Sequence, residues 1–152
     1  MGDRGSNRPS AVVTAGAGAP PVLLYDGACG LCSQTVQLVL RHDRDGRLRF
    51  APLDGTFASS LRTRHPALAA VDSLVWVEAP EGPGSERVLT RSDAALRVAA
   101  YLGGAWRLAV LARVVPRFLR DAAYDLVARH RHHLTAPACV VPAPAERARF
   151  LD

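Results

Sequence analysis

The stretch Val22-Leu23-Leu24-Tyr25-Asp26-Gly27-Ala28-Cys29-Gly30-Leu31-Cys32 decides the fold. It opens on a short apolar run, the mark of a buried strand. Beyond Cys32 the residues Ser33-Gln34-Thr35-Val36-Gln37-Leu38-Val39-Leu40 carry apolar side chains at helical spacing. The two cysteines therefore sit where a strand hands over to a helix. Residues three apart on a helix share a face, with Cβ atoms about 5–6 Å apart, near enough to be drawn into a disulfide. The unpaired N–H groups and the dipole at a helix N-terminus favour thiolate over thiol. A Cys-x-x-Cys in this setting reads as a redox dithiol. Two alternatives stay open: half of a zinc site, which needs a second Cys/His pair, and two buried, inert cysteines. Haem attachment is excluded, because Ser33 stands where it needs a histidine.

Outward from this stretch the pattern builds a sheet. The helix runs from about Cys29 to His42, with Val36, Val39 and Leu40 on one stripe, and Asp43-Arg44-Asp45-Gly46 stops it. Arg47-Leu48-Arg49-Phe50-Ala51 alternates and reads as a second strand, ended by Pro52. Strand, helix, strand of this length predicts a parallel βαβ unit. A short helix follows over 56–64, closed by His65-Pro66. Ser73–Val77 and Glu86–Thr90 are strands by β-branched and aromatic content, joined as a hairpin by the Pro/Gly-rich 79–84. Ser92 is expected to cap a helix from Asp93 to Leu102, which Gly103-Gly104 ends.

Beyond Gly104 lies Trp106–Val115, then Pro116, then a helix over Arg117–His133. Phe118, Leu119, Ala122 and Leu126 line one side of it, and Arg117, Arg120, Asp121, Asp125 and Arg129 line the other. The expectation is an amphipathic helix that covers the sheet with its apolar stripe. The chain thus divides into a flexible tail over 1–20, a domain with C-terminal helices over 21–135, and an extended Pro-rich tail over 136–152.

Composition narrows the function. All 19 basic side chains are arginines, which removes lysine Schiff-base and general-base chemistry. Three cysteines in 152 residues do not make a disulfide scaffold and suit a reducing compartment, here the cytoplasm. Arg4 and Arg8 precede Ala11–Ala19, but that Gly/Ala-rich run lacks the apolar centre of a signal peptide. No run approaches the ~18 apolar residues of a membrane span. Trp106–Arg131 holds six arginines against two aspartates. It reads as a solvated face; contact with a membrane surface is the alternative, and without a nucleic-acid motif no nucleic acid is expected.

Asp26-x-x-Cys29-x-x-Cys32 after an apolar strand resembles the DCC family of thiol–disulfide oxidoreductases. The similarity continues in Asp121-x-x-Tyr124, Ala128-Arg129-His130-Arg131, Cys139, Pro142 and Arg149-Phe150-Leu151, and so covers about 22–152. It implies dithiol chemistry and a thioredoxin-like α/β fold. The patterns agree with that fold, a βαβ–α–ββα sheet with an added C-terminal amphipathic helical segment.

Cys29 is the expected nucleophile, nearer the strand end where solvent reaches, and Cys32 the resolving thiol. A helix N-terminus is worth about 0.3–1 kcal/mol, which moves a thiol by roughly one pKa unit. That predicts a moderate couple rather than a strong oxidant. Asp26 has two candidate tasks: to accept backbone N–H groups at the turn, or to take the proton of Cys32. Thioredoxin-like proteins usually place a cis-proline before the third strand, where Val71-Asp72-Ser73 stands here. Its absence leaves substrate recognition open. Cys139 with His130, His132 or His133 matches metal-ligand spacing weakly, so neither metal nor cofactor is expected. The expected partners are a disulfide or thiol substrate and an electron donor.

Overall fold

Leu23 lies between Phe50 on one neighbouring strand and Trp76 on the other, and all three are fully buried. This three-residue rung marks the centre of the computed structural model, which describes residues 19–78, 86–134 and 142–151. Strands β1 (Val22–Tyr25), β2 (Arg49–Pro52), β3 (Val75–Glu78) and β4 (Arg87–Thr90) form one sheet in the order β2-β1-β3-β4. The β1–β2 pair is parallel; β1–β3 and β3–β4 are antiparallel. Both expectations, the βαβ unit and the hairpin, hold. The hairpin loop lies outside the described residues.

Side chains alternate across a strand, and each face of this sheet carries its own core. Leu23, Tyr25, Phe50, Leu74 and Trp76 face Val36 and Val39 of α1 (Gly30–His42) and Ala94 and Val98 of α3 (Arg91–Leu102). Val22, Leu24, Ala51, Val75 and Val77 face Ala58 and Leu61 of α2 (Thr56–Arg64) and Leu68 of the 3₁₀ turn Pro66–Ala70. Each fully buried Leu, Phe or Val contributes about 1.5–3 kcal/mol. The result is a mixed α/β layered domain consistent with a thioredoxin-like fold.

Three local expectations need correction. Thr90, not Ser92, stands at the N-cap of α3, because β4 passes straight into the helix through Arg91 at φ 52°. Ser92 instead donates its hydroxyl to Asp121 on α4 (Arg117–Leu134). The second correction concerns α4 itself. It docks by its polar side: Arg120 reaches Asp93 at 2.9 Å, and the Tyr124 hydroxyl accepts the Leu74 N–H at 3.3 Å. Phe118, Leu119, Ala122 and Leu126 face outward. The sheet needs no cover from this stripe, because α1 and α3 already fill that face.

The third lies at the chain end, expected to be extended. Arg147–Arg149 form a 3₁₀ turn, Phe150 bridges to Phe50, and the Leu151 N–H donates to the Phe50 carbonyl at 2.7 Å. The end thus covers the outer edge of β2, a position where an unpaired strand would invite aggregation. Arg149 holds it there. Its guanidinium pairs with Asp43, donates to the Leu48 carbonyl at 3.0 Å, and lies 5.2 Å above the Phe50 ring. Between 104 and 114 the chain winds as a 3₁₀ helix that leads into Pro116 and α4. Among the described residues, no helix is long and apolar enough to cross a membrane.

Candidate active site

The turn after β1 is fixed by Asp26. Its Oδ1 accepts the Ala28 N–H at 2.9 Å and its carbonyl accepts the Cys29 N–H at 3.1 Å. A carboxylate bonding two residues ahead is the usual way an Asp shapes a turn. The bend delivers Cys29 to the N-cap of α1, where its sulfur accepts the Cys32 N–H at 3.5 Å. One of the helix's orphan donors is thereby directed at a sulfur.

The two thiols have different surroundings. Burial pushes the Cys32 thiol up to about 12; the Asp26 backbone opposes this, and hydrogen bonding to Cys29 adds to it. A Cys32 that keeps its proton can donate it toward the Cys29 sulfur. Exposure differs from the expectation, however. Cys29 is 2% exposed and Cys32 4%, so neither sulfur is open to bulk solvent.

A cavity of about 310 Å³ lies against Cys32, lined by Leu31 and Leu38 of α1, Val98 and Leu102 of α3, Trp106, and Tyr124 of α4. Pockets of about 300–1,000 Å³ with mostly apolar walls are the usual size for small ligands. The Leu74 N–H, just after Val71-Asp72-Ser73, is taken by the Tyr124 hydroxyl. Burial raises the Tyr124 pKa, against the Leu74 amide and with the charge of Cys32. Tyr124 therefore sits within electrostatic reach of both sulfurs.

The structure brings Asp26, Cys29 and Cys32 together at one turn. It adds Tyr124 and the apolar cavity, which sequence reasoning did not assign to the site. The signal for Tyr124 was present: Asp121 and Tyr124 are three apart on one helix, and both side chains reach the domain. Cys139 and the side chains of His132 and His133 lie outside the described residues. Among those described, no group of three or more His, Cys, Asp or Glu could hold a metal ion.

A strand-to-helix turn carrying Asp-x-x-Cys-x-x-Cys on a mixed four-stranded sheet is consistent with a thioredoxin-like fold. Within that class, this chain belongs to the DCC1-like thiol-disulfide oxidoreductase family, whose model matches residues 23–136. It is 36% identical over 133 residues to the uncharacterized protein YuxK of Bacillus subtilis, covering 86% of this chain and 93% of that protein. It is 32% identical over 114 residues to the DCC family protein At1g52590, chloroplastic, of Arabidopsis thaliana, covering 74% of this chain and 63% of that protein. No solved structure matches the chain.

Proposed function

We propose that the protein is a cytoplasmic thiol–disulfide oxidoreductase whose redox group is the Cys29/Cys32 pair. The observation that carries this reading is the unequal setting of the two sulfurs. The Cys29 sulfur accepts a helix N-terminal amide, while burial together with the hydrogen bond to Cys29 raises the Cys32 thiol. That is the division of labour dithiol exchange requires. The Cys29 thiolate attacks a substrate disulfide, forming a Cys29 mixed disulfide and expelling the first substrate thiolate. Cys32 then gives up its proton and attacks the Cys29 sulfur, and the second substrate thiolate leaves. The products are a Cys29–Cys32 disulfide and two substrate thiols, with two electrons passed to the substrate. A separate thiol donor reverses the oxidation of the pair. Asp26 relays the Cys32 proton in addition to holding the turn. The apolar cavity beside Cys32 supports a substrate that presents an apolar group next to its disulfide.

The test is trapping of the first intermediate. With Cys32→Ser, a peptide disulfide should leave a stable one-to-one adduct on Cys29, read by intact mass. Cys29→Ser should leave none. An adduct on neither variant, with both still folded by circular dichroism, contradicts the exchange mechanism. An adduct formed only on Cys32 would reverse the assigned roles.

A further inference from the structure

The helical stretch from Gly104 onward carries a surface that dithiol exchange does not use. A 3₁₀ helix repeats every ~3.0 residues, so side chains three apart fall in one row. Leu108, Leu111 and Val114 form such a row, 68%, 68% and 87% exposed. The row containing Trp106 and Ala109 lines the cavity beside Cys32. The remaining row presents Arg107 and Arg113, both exposed. On α4 the outward stripe continues the apolar surface through Phe118, Leu119, Leu126 and Val127. Among the described residues, every exposed large apolar side chain falls between Trp106 and Val127. Isolated surface hydrophobes are ordinary, but a contiguous set marks an interaction site.

The charge pattern selects the occupant. Arg107, Arg113 and Arg129 are exposed in this segment, while Arg117 pairs with Asp93 at 3.3 Å and Asp121 at 3.5 Å. Its two carboxylates are engaged toward the domain, Asp121 with Ser92 and Asp125 with Arg91. The face is therefore apolar and bordered by positive charge. A second copy would set these arginines against their own kind. An anionic bilayer answers both features, since its headgroups meet the arginines while its acyl boundary takes the side chains to about 5–10 Å depth. We infer that residues 104–130 form a peripheral membrane-binding face for anionic lipid surfaces, lying on the bilayer without crossing it.

The full chain should float with vesicles of phosphatidylcholine and phosphatidylglycerol and not with phosphatidylcholine alone, and the bound fraction should fall as salt is raised. Leu111→Ser with Phe118→Ser should reduce binding by about tenfold or more, and so should Arg107→Gln with Arg113→Gln. All four positions are exposed, so thermal midpoints should stay within about 2 °C of the parent. Absence of flotation with either vesicle overturns the inference. So does flotation that survives the serine pair, which would reduce the face to a basic patch. A dimer in sedimentation equilibrium that the serine pair dissolves would assign the face to a second copy. A marked fall in midpoint with the serine pair would mean the face is covered in the folded chain.

Discussion

Asp26 shows how much one side chain is asked to do. The Asp26→Asn variant separates its turn contact from the proposed relay of the Cys32 proton, because the amide oxygen still accepts the Ala28 N–H but carries no charge. We expect the fold to be retained, and the resolution of a preformed Cys29 mixed disulfide to slow with an altered pH profile. Unchanged resolution kinetics would leave Asp26 as a turn former only. Tyr124 is the second informative residue. Tyr124→Phe removes the acceptor of the Leu74 N–H while keeping the ring, and leaving a buried donor unpaired costs about 1–3 kcal/mol. Urea denaturation should show that loss, and a null result would mean another acceptor takes the amide. The Asp-Cys-Cys trio was legible in the sequence because its spacing alone implies a shared turn. The burial of both sulfurs was not, since α3, α4 and the 3₁₀ helix that line the cavity at Cys32 lie about sixty residues or more further along the chain.

At the level of elements, strand and helix identity followed from apolar periodicity nearly everywhere, and the span of α2 matches the expected 56–64. The docking of α4 did not follow. Periodicity reports that a helix has an apolar stripe, not which surface meets it. Here specific polar contacts from Arg120, Asp121 and Tyr124 outweigh the stripe. The docking of the chain end was likewise hidden, because it depends on Asp43, whose side chain is 1% exposed and reads in sequence as a helix stop. Asp43 also accepts the Tyr101 hydroxyl at 3.0 Å and the Gly46 N–H at 3.0 Å. Arg149→Ala leaves this carboxylate buried without its cation, which costs about 3–5 kcal/mol. Removing Asp43 as well should recover part of that loss, because the two residues share one network. Fully additive losses in denaturation would contradict the pairing.

For the whole molecule, pH dependence follows from groups whose ionisation the fold resists. Cys32 is raised from 9.0 to about 12 and Tyr101 from 10.0 to about 12, both chiefly by burial; Tyr25 and Tyr124 move the same way. For an acid whose folded value lies above its unfolded one, the stabilisation is complete below the unfolded value. It is lost as pH rises toward the folded value. Glu78 and Glu86 behave oppositely. Burial alone would raise them, but Arg97 for Glu78, and His65 with Arg64 for Glu86, hold both below 4.5. Their contribution is present above that value and is lost as pH falls through their folded values. The thermal midpoint should therefore be flat near neutrality, fall above about pH 9, and fall again in acid. A midpoint that held through the alkaline range would show that these buried groups ionise freely. The central claim, that Cys29 and Cys32 form a working couple, is tested most directly by titrating the protein across graded thiol/disulfide buffers. Alkylation and intact mass would read the reduced fraction. The account predicts one reversible two-electron transition between about −270 and −200 mV, lost in both Cys29→Ser and Cys32→Ser. The absence of any reversible transition in the parent protein would contradict it.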